Sequence, residues 1–256
     1  MNPVRWCFVK FEAVFFDLYN TLLHFDFSVL PEVDFRGQKL PTTSVEVHRQ
    51  VEKKFKTNVP YQCFLEEFLE SMAIISRIRK KEDREVPCLE RFQIMCRRLN
   101  IDVQAADFMT QVHMDEMFRT MYCPEKTKIL LERLSDIPLV LASNFDHAPT
   151  VRRALRSFEL EHRFMEIFIS DEVGCRKPGR KFFEIILKKT GHDPSRCLYV
   201  GDDAEADVLG AVREGFQVAW LVEGGTSEDP PATPRWVIED LLEVLNIVEK
   251  SVGEES

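Results

Sequence analysis

The chain has 256 residues, of which 45% are hydrophobic and 30% charged, and its formal net charge is −9. That balance describes a globular protein with a substantial core, in one large domain or two smaller ones, and not a disordered chain. The acidic charge argues against nucleic acid as the main partner, and no apolar stretch approaches the roughly 20 residues that cross a bilayer.

At the amino end Arg5 and a short apolar patch are interrupted by Lys10 and Glu12 before a secretory core forms, so a cytoplasmic location is expected. The first ten residues read as an extension with no role in the fold. The first buried strand is Ala13–Phe16, a short apolar run that ends in Asp17, Leu18, Tyr19, Asn20 and Thr21. The segment 26–43 contains Pro31, Gly37 and Pro41. Its Val33–Phe35 and Gln38–Leu40 flank Arg36-Gly37 as the arms of a small hairpin would.

The pattern then changes. Val47, Val51 and Phe55 share one helical face over 44–57, and Phe64, Phe68, Met72 and Ile75 do so over 61–79. Helices are also expected over 89–99, with Phe92 and Cys96, and over 105–121. Four amphipathic helices without a strand between them predict a helical module inserted into an α/β domain. The expected division is a core of 1–25 and 122–256 around a cap of 26–121.

Beyond the insert, buried strands are predicted at Pro138–Ala142, Glu166–Ser170, Cys197–Val200 and Val218–Val222. Ser143 and Asn144 follow the first of these at an expected helix start. Lys177 precedes a helix predicted to begin at Pro178 and stop at Thr190-Gly191. Gly201, Asp202, Asp203 and Asp207 follow the strand at 197 and open a helix that ends near Gly215. A Gly/Pro-rich loop over 223–234 leads to an edge strand at Trp236–Ile238 and a helix over 240–248; the last four residues read as frayed. Strands alternating with helices mean a Rossmann-like parallel sheet, whose ligands bind outside the carboxyl ends of the strands.

The acids that close these strands require compensation. Asp17, Asp202 and Asp207 at neighbouring strand ends repel one another, so the site must raise a pKa, bind a cation or recruit a basic side chain. Carboxylates, water and a phosphate oxygen suit Mg²⁺. Lys177 supplies the positive partner, while Thr21, Ser143 and Asn144 offer donors to an oxyanion. The seven cysteines are scattered, odd in number and without a CxxC pair, which suits free thiols in a reducing compartment better than disulfides or a zinc site. His48, His113, His162 and His192 read as surface or boundary residues.

Four motifs, Asp17-Leu18-Tyr19-Asn20-Thr21, Ser143-Asn144, Lys177-Pro178 and Gly201-Asp202-Asp203 with Asp207, stand in the order of the haloacid dehalogenase-like hydrolase superfamily, which the chain resembles over nearly its whole length. The resemblance implies that Asp17 is the attacking carboxylate and that Asp17, Asp202, Asp207 and the Tyr19 carbonyl hold Mg²⁺. It further implies that Thr21, Ser143, Asn144 and Lys177 hold the transferred group of a small phosphorylated substrate, bound between cap and sheet edge.

Phosphatases of this superfamily usually carry a second aspartate, a general acid, where Tyr19 stands. Its loss is worth about 10²–10⁴-fold in rate. Three readings follow: a leaving group that needs no proton; another donor, such as the Tyr19 phenol, His24 or Asp146; or different chemistry. The last resembles 2-haloacid dehalogenases, which share the tyrosine but lack the acid corresponding to Asp202. Beside the dehalogenase, the other rival to a phosphohydrolase is a non-catalytic binder on the same fold. Nothing in the sequence ranks substrates or oligomeric states.

Overall fold

The computed structural model describes residues 11–224 and 229–250; the amino-terminal extension and the frayed carboxyl end read from the sequence lie outside them. Two compact units emerge. The α/β unit contains a parallel sheet of six strands among the described residues: β1 (Ala13–Phe16), β2 (Leu139–Ser143), β3 (Glu166–Ile169), β4 (Cys197–Gly201), β5 (Gln217–Leu221) and β6 (Trp236–Ile238). Their spatial order is β6-β5-β4-β1-β2-β3. The chain leaves β1 for β2 on one side and returns to β4 on the other, so the order reverses beside β1 and opens a crevice at its carboxyl end. Register holds Phe16 between Leu141 and Val200, which brings the ends of β1, β2 and β4 level.

The central strands are apolar throughout because both faces are covered. Phe15, Phe182, Phe183, Tyr199 and Phe216 lie in one core cluster with Val140 and Val218. Each fully buried Phe contributes roughly 1.5–3 kcal/mol. No helix among the described residues is long and apolar enough to cross a membrane. Cys63, Cys88, Cys96, Cys123, Cys175 and Cys197 are free thiols.

The second unit contains α1 (Ser44–Phe55), α2 (Tyr61–Glu82), α3 (Cys88–Leu99) and α4 (Ala105–Thr120), around Val47, Phe64, Phe68, Phe92, Met95 and Met109. Before them a hairpin pairs Glu32–Phe35 with Gln38–Pro41. Arg36 and Gly37 both take positive φ (54° and 79°), as a two-residue turn demands, and the Asp34 carboxylate accepts from the Gly37 N–H at 3.0 Å. Arg36 lies over the Phe35 ring, and Arg49 pairs with Glu46.

Several expectations need correction. Met72 is half exposed, and Ser71 takes the buried place beside Phe68 and Ile75. At about 100° per residue Ser71 falls within about 40° of Ile75, inside the stripe, whereas Met72 falls about 60° from Ile75, toward its margin. His113 is not a boundary residue; it is buried, bonded to Thr43 at 2.6 Å, with the Arg91 guanidinium at 3.4 Å. The helix after Lys177 starts at Arg180, because 176–179 form a turn closed by Gly179 N–H to Arg176 C=O. The last helix is Glu243–Lys250, after a turn in which the Asp240 side chain accepts from the Leu242 N–H. Segment 145–157, expected in the α/β core, belongs to the helical unit. Phe145 packs on the helical core, the Asp146 carbonyl accepts from the Cys88 N–H, and the Asp146 carboxylate meets Arg79 at 3.0 Å.

Candidate active site

β1 ends just before Asp17, β2 at Ser143 and β4 at Gly201, and the chemistry-bearing side chains gather there. Asp17 is fixed by its N–H bond to the Val200 carbonyl at 2.9 Å. After it the chain folds into a tight turn, with Leu22 and Leu23 N–H groups both on the Leu18 carbonyl and Asn20 at positive φ. The turn returns Thr21 toward the strand end, its hydroxyl 3.4 Å from the Asp202 carboxylate.

Lys177 is the centre of the arrangement. Its ammonium, buried with the rest of the side chain, lies 2.6 Å from Asp17 Oδ1, 2.6 Å from Asp207 Oδ1, 2.6 Å from the Ala142 carbonyl and 3.0 Å from the Tyr199 hydroxyl. Burial works against the ammonium charge, but Asp17 and Asp207 outweigh it and hold the pKa well above the usual lysine value. Asn144 positions this residue: its side-chain amide donates to the Lys177 carbonyl and accepts from the Lys177 N–H, both at 2.9 Å. Asn144 was expected at a helix start facing a ligand. The helix begins only at Ala148, and the amide is committed to the Lys177 backbone instead.

Asp207 sits on a turn of π-helix, Ala204–Leu209, capped by Asp203, whose carboxylate accepts from the Glu205 and Ala206 N–H groups. Asp203 is therefore a cap. One Asp207 oxygen receives Lys177 and Tyr199, and the other accepts from the Asp203 N–H at 3.1 Å. With both oxygens engaged, Asp207 serves Lys177 more directly than it would a metal ion. Tyr199 was missed from the sequence. It hides in an apolar strand, and burial, then Asp207, holds its phenol well above its ordinary pKa.

Close packing at Gly201 is part of the design. A Cβ there would overlap the Asp207 carboxyl group. Gly201→Ala should lower stability by about 1–3 kcal/mol, because a buried, fully bonded carboxylate has to move. Urea denaturation checks this; an unchanged midpoint would refute the crowding argument.

Asp17, Asp202 and Asp207 offer oxygens within 4.8 Å of one another, against one ammonium. Burial raises Asp17; Lys177 pulls it back, and Asp207 and Asp202 add to the rise, leaving it at about 8. Burial and then Asp207 push Asp202 up to about 6. The excess negative charge and all-oxygen donor set fit a hard divalent cation. Ser143 is wholly buried, and its hydroxyl finds no hydrogen-bond partner among the described residues, as a group awaiting a ligand oxygen would. Of the residues singled out from sequence, Asp17, Lys177, Asp202, Asp207 and Thr21 thus converge through direct contacts or shared donor geometry. Ser143 stands at the adjoining strand end, and Tyr19 is buried in the turn after Asp17. Asp146 is engaged by Arg79 in the helical unit.

Comparison with known proteins places this geometry in a family. The model of the haloacid dehalogenase-like hydrolases matches residues 11–215. The phosphoserine phosphatase of Thermus thermophilus is 36% identical over 123 residues, 47% of this chain and 49% of that protein. The pyrimidine 5'-nucleotidase YjjG of Escherichia coli is 34% identical over 106 residues, 41% of this chain and 46% of that protein. The chain thus spans about half the length of the curated relatives it matches. Among solved structures, a 2-haloacid dehalogenase from Pseudomonas syringae superposes with a TM-score of 0.70 at 19% identity, covering 94% of this chain and 99% of that one. The magnesium-bound HAD-hydrolase YfnB of Bacillus subtilis gives 0.63 at 16% identity, covering 93% and 98%. With its sheet order, its convergent acids and a family match over most of its length, this chain belongs to the haloacid dehalogenase-like hydrolases.

Proposed function

We propose that the chain is a Mg²⁺-dependent phosphohydrolase that acts on a small phosphorylated metabolite through an aspartyl-phosphate on Asp17. The observation that carries this reading is the grouping of three carboxylates around a single ammonium, with an unpartnered hydroxyl at the next strand end. Asp17, Asp202 and the Tyr19 carbonyl would hold the ion, with Asp207 orienting Lys177. When bound, Mg²⁺ supplies the positive charge that lets an anionic phosphoryl group approach a carboxylate.

An Asp17 oxygen attacks phosphorus as the bond to the leaving oxygen breaks, and that oxygen takes its proton from solvent or departs as a stabilised anion. Ser143, Thr21 and Lys177 donate to the phosphoryl oxygens. Water then attacks the aspartyl-phosphate at phosphorus, releasing phosphate and restoring the Asp17 carboxylate. The curated relatives with phosphatase and nucleotidase names support the same reading.

Tyr19 favours a second reading, halide displacement from a 2-haloacid. Asp202 weighs against it, because its charge beside Asp17 opposes a substrate that carries its own carboxylate. An aryl phosphate, whose leaving group needs little help, separates the two. Hydrolysis with Mg²⁺ that stops in chelator is expected. Release of halide from a 2-chloroacid in chelator, without phosphate release from the ester, would replace the proposal.

The raised carboxylates add a pH prediction. Protons held by Asp17 (about 8) and Asp202 (about 6) must leave when a cation binds, so Mg²⁺ affinity should weaken as pH falls from 8 toward 6. Calorimetry in buffers of different ionisation enthalpy reads that proton release directly. Affinity that is flat across this range would contradict it.

A further inference from the structure

At the opposite, amino-terminal edge of the sheet, three side chains of different chemistry converge without belonging to the site above. Glu12 immediately precedes β1, His192 follows the helix Arg180–Thr190, and Cys197 opens β4. Each offers a donor atom, and the three lie within 4.8 Å of one another. Among the described residues, only this group and the catalytic acids meet that test. The two differ in kind: the catalytic group is all oxygen, whereas this one combines thiol sulfur, imidazole nitrogen and carboxylate oxygen.

We propose that Glu12, His192 and Cys197 form a second metal site, selective for Zn²⁺ over Mg²⁺. Zinc takes sulfur, nitrogen and oxygen ligands in tetrahedral geometry at about 2.0–2.3 Å, so donor atoms sit roughly 3.3–3.6 Å apart around it. Donor atoms already within 4.8 Å of one another reach that spacing by closing about 1 Å. Mg²⁺ has little use for a thiolate or an imidazole.

The surroundings suit the role. One Glu12 oxygen is held by Arg196 at 2.5 Å, and the other faces the His192 ring, 3.8 Å from Nδ1, taking only a long bond from the Asp193 N–H at 3.3 Å. Arg196 thereby fixes the carboxylate and leaves its second oxygen as the ligand. The His192 ring is braced edge-on against Phe15, and its Nε2 is buried with no partner among the described residues. Cys197 is fully buried, and burial, then the Glu12 carboxylate, push its thiol up to about 12 against the opposing Ala13 N–H at sulfur, so the metal has to displace a firmly held proton. On binding, the S–H bond breaks, the proton goes to solvent and the sulfur–metal bond forms; a water takes the fourth position.

Sequence spacing hides such a site. His192 and Cys197 are five residues apart, but Glu12 joins them only because β1 and β4 are neighbours in register at Ala13 and Cys197. The site would tie the first strand to the strand beside it at the edge away from the chemistry.

Co²⁺ is the probe that distinguishes the two centres, since only thiolate ligation gives an intense near-ultraviolet charge-transfer band. Titration of the metal-free protein should produce that band at one equivalent. Zn²⁺ should abolish it and raise the melting temperature, while Mg²⁺ in excess should do neither. Cys197→Ser should remove the band, and His192→Ala should weaken Co²⁺ binding at least about tenfold while the protein stays folded by circular dichroism. No band in the wild type, or a band that survives Cys197→Ser, overturns the proposal. Either result leaves the phosphohydrolase reading untouched, because phosphate release with Mg²⁺ is measured separately.

Discussion

Asp17→Asn is expected to lower turnover of an aryl phosphate at least about 10⁴-fold, some 5.5 kcal/mol of barrier, while the metal-free protein melts no lower than the wild type. The first half follows from the proposed role: an amide has no charge to attack phosphorus with, and the neighbouring acids cannot take its place. Asp207 is spent on Lys177, Tyr199 and the Asp203 N–H, and Asp202 leaves from a different strand. The second half follows from electrostatics. Burial is the largest influence on Asp17 and raises its pKa from 3.8 to about 8, so the folded state holds this proton more tightly than the unfolded chain. Linkage then makes the metal-free protein lose stability as pH rises from about 4 to about 8. Asparagine removes that loss, and Lys177 retains Asp207 and the Ala142 carbonyl as partners. Melting curves across pH 5–9 should converge at the acid end and separate at the alkaline end, with the variant higher. Turnover within tenfold of wild type would end the nucleophile assignment.

What the sequence disclosed and what it concealed divide along physical lines. Fully buried parallel strands are short apolar runs, and each one here could be found from that pattern and the acid or hydroxyl that closes it. The helical insert was legible from a change of period, and the hairpin from Arg36-Gly37 between alternating arms. Concealed were features that depend on a partner far along the chain. Tyr199 reads as one more apolar strand residue until Lys177 and Asp207 meet its hydroxyl. Asn144 carries an ordinary cap signal, yet its amide is matched to a peptide group 33 residues away. Segment 145–157 follows a core strand, and Phe145, Asp146 and Arg153 tie it to the helical unit through the hydrophobic core, Arg79 and Asp115. The family order of motifs supplied what local pattern could not, namely that four unremarkable turns share one site.

Lys177→Met should cost about 3–5 kcal/mol of stability near pH 8, the largest stability loss expected from any one substitution here, together with a turnover loss of about 10²–10³-fold. Methionine has similar length and fills the space, so packing is nearly conserved and the loss reports charge. Without the ammonium, Asp17 and Asp207 are two buried carboxyl groups that cannot both stay charged; Asp207 keeps Tyr199 and a backbone N–H, and Asp17 loses its one basic contact. Their recourse is to take up a proton, which becomes easier as pH falls. The deficit relative to wild type should therefore shrink between pH 8 and pH 5.5, the reverse of a defect in packing, which pH would leave alone. Adding Asp17→Asn should recover part of the loss, since one of the two stranded charges is then gone, and a double-mutant cycle isolates that coupling. Mg²⁺ should recover part of it too, by returning positive charge to the same carboxylates. Lys177→Arg is not a substitute, because a planar fork matches neither the three short bonds nor the confined space around Nζ. If Lys177→Met unfolds at the wild-type urea midpoint at pH 8, the three carboxylates are not being held together by this ammonium, and the electrostatic account of the site fails with it.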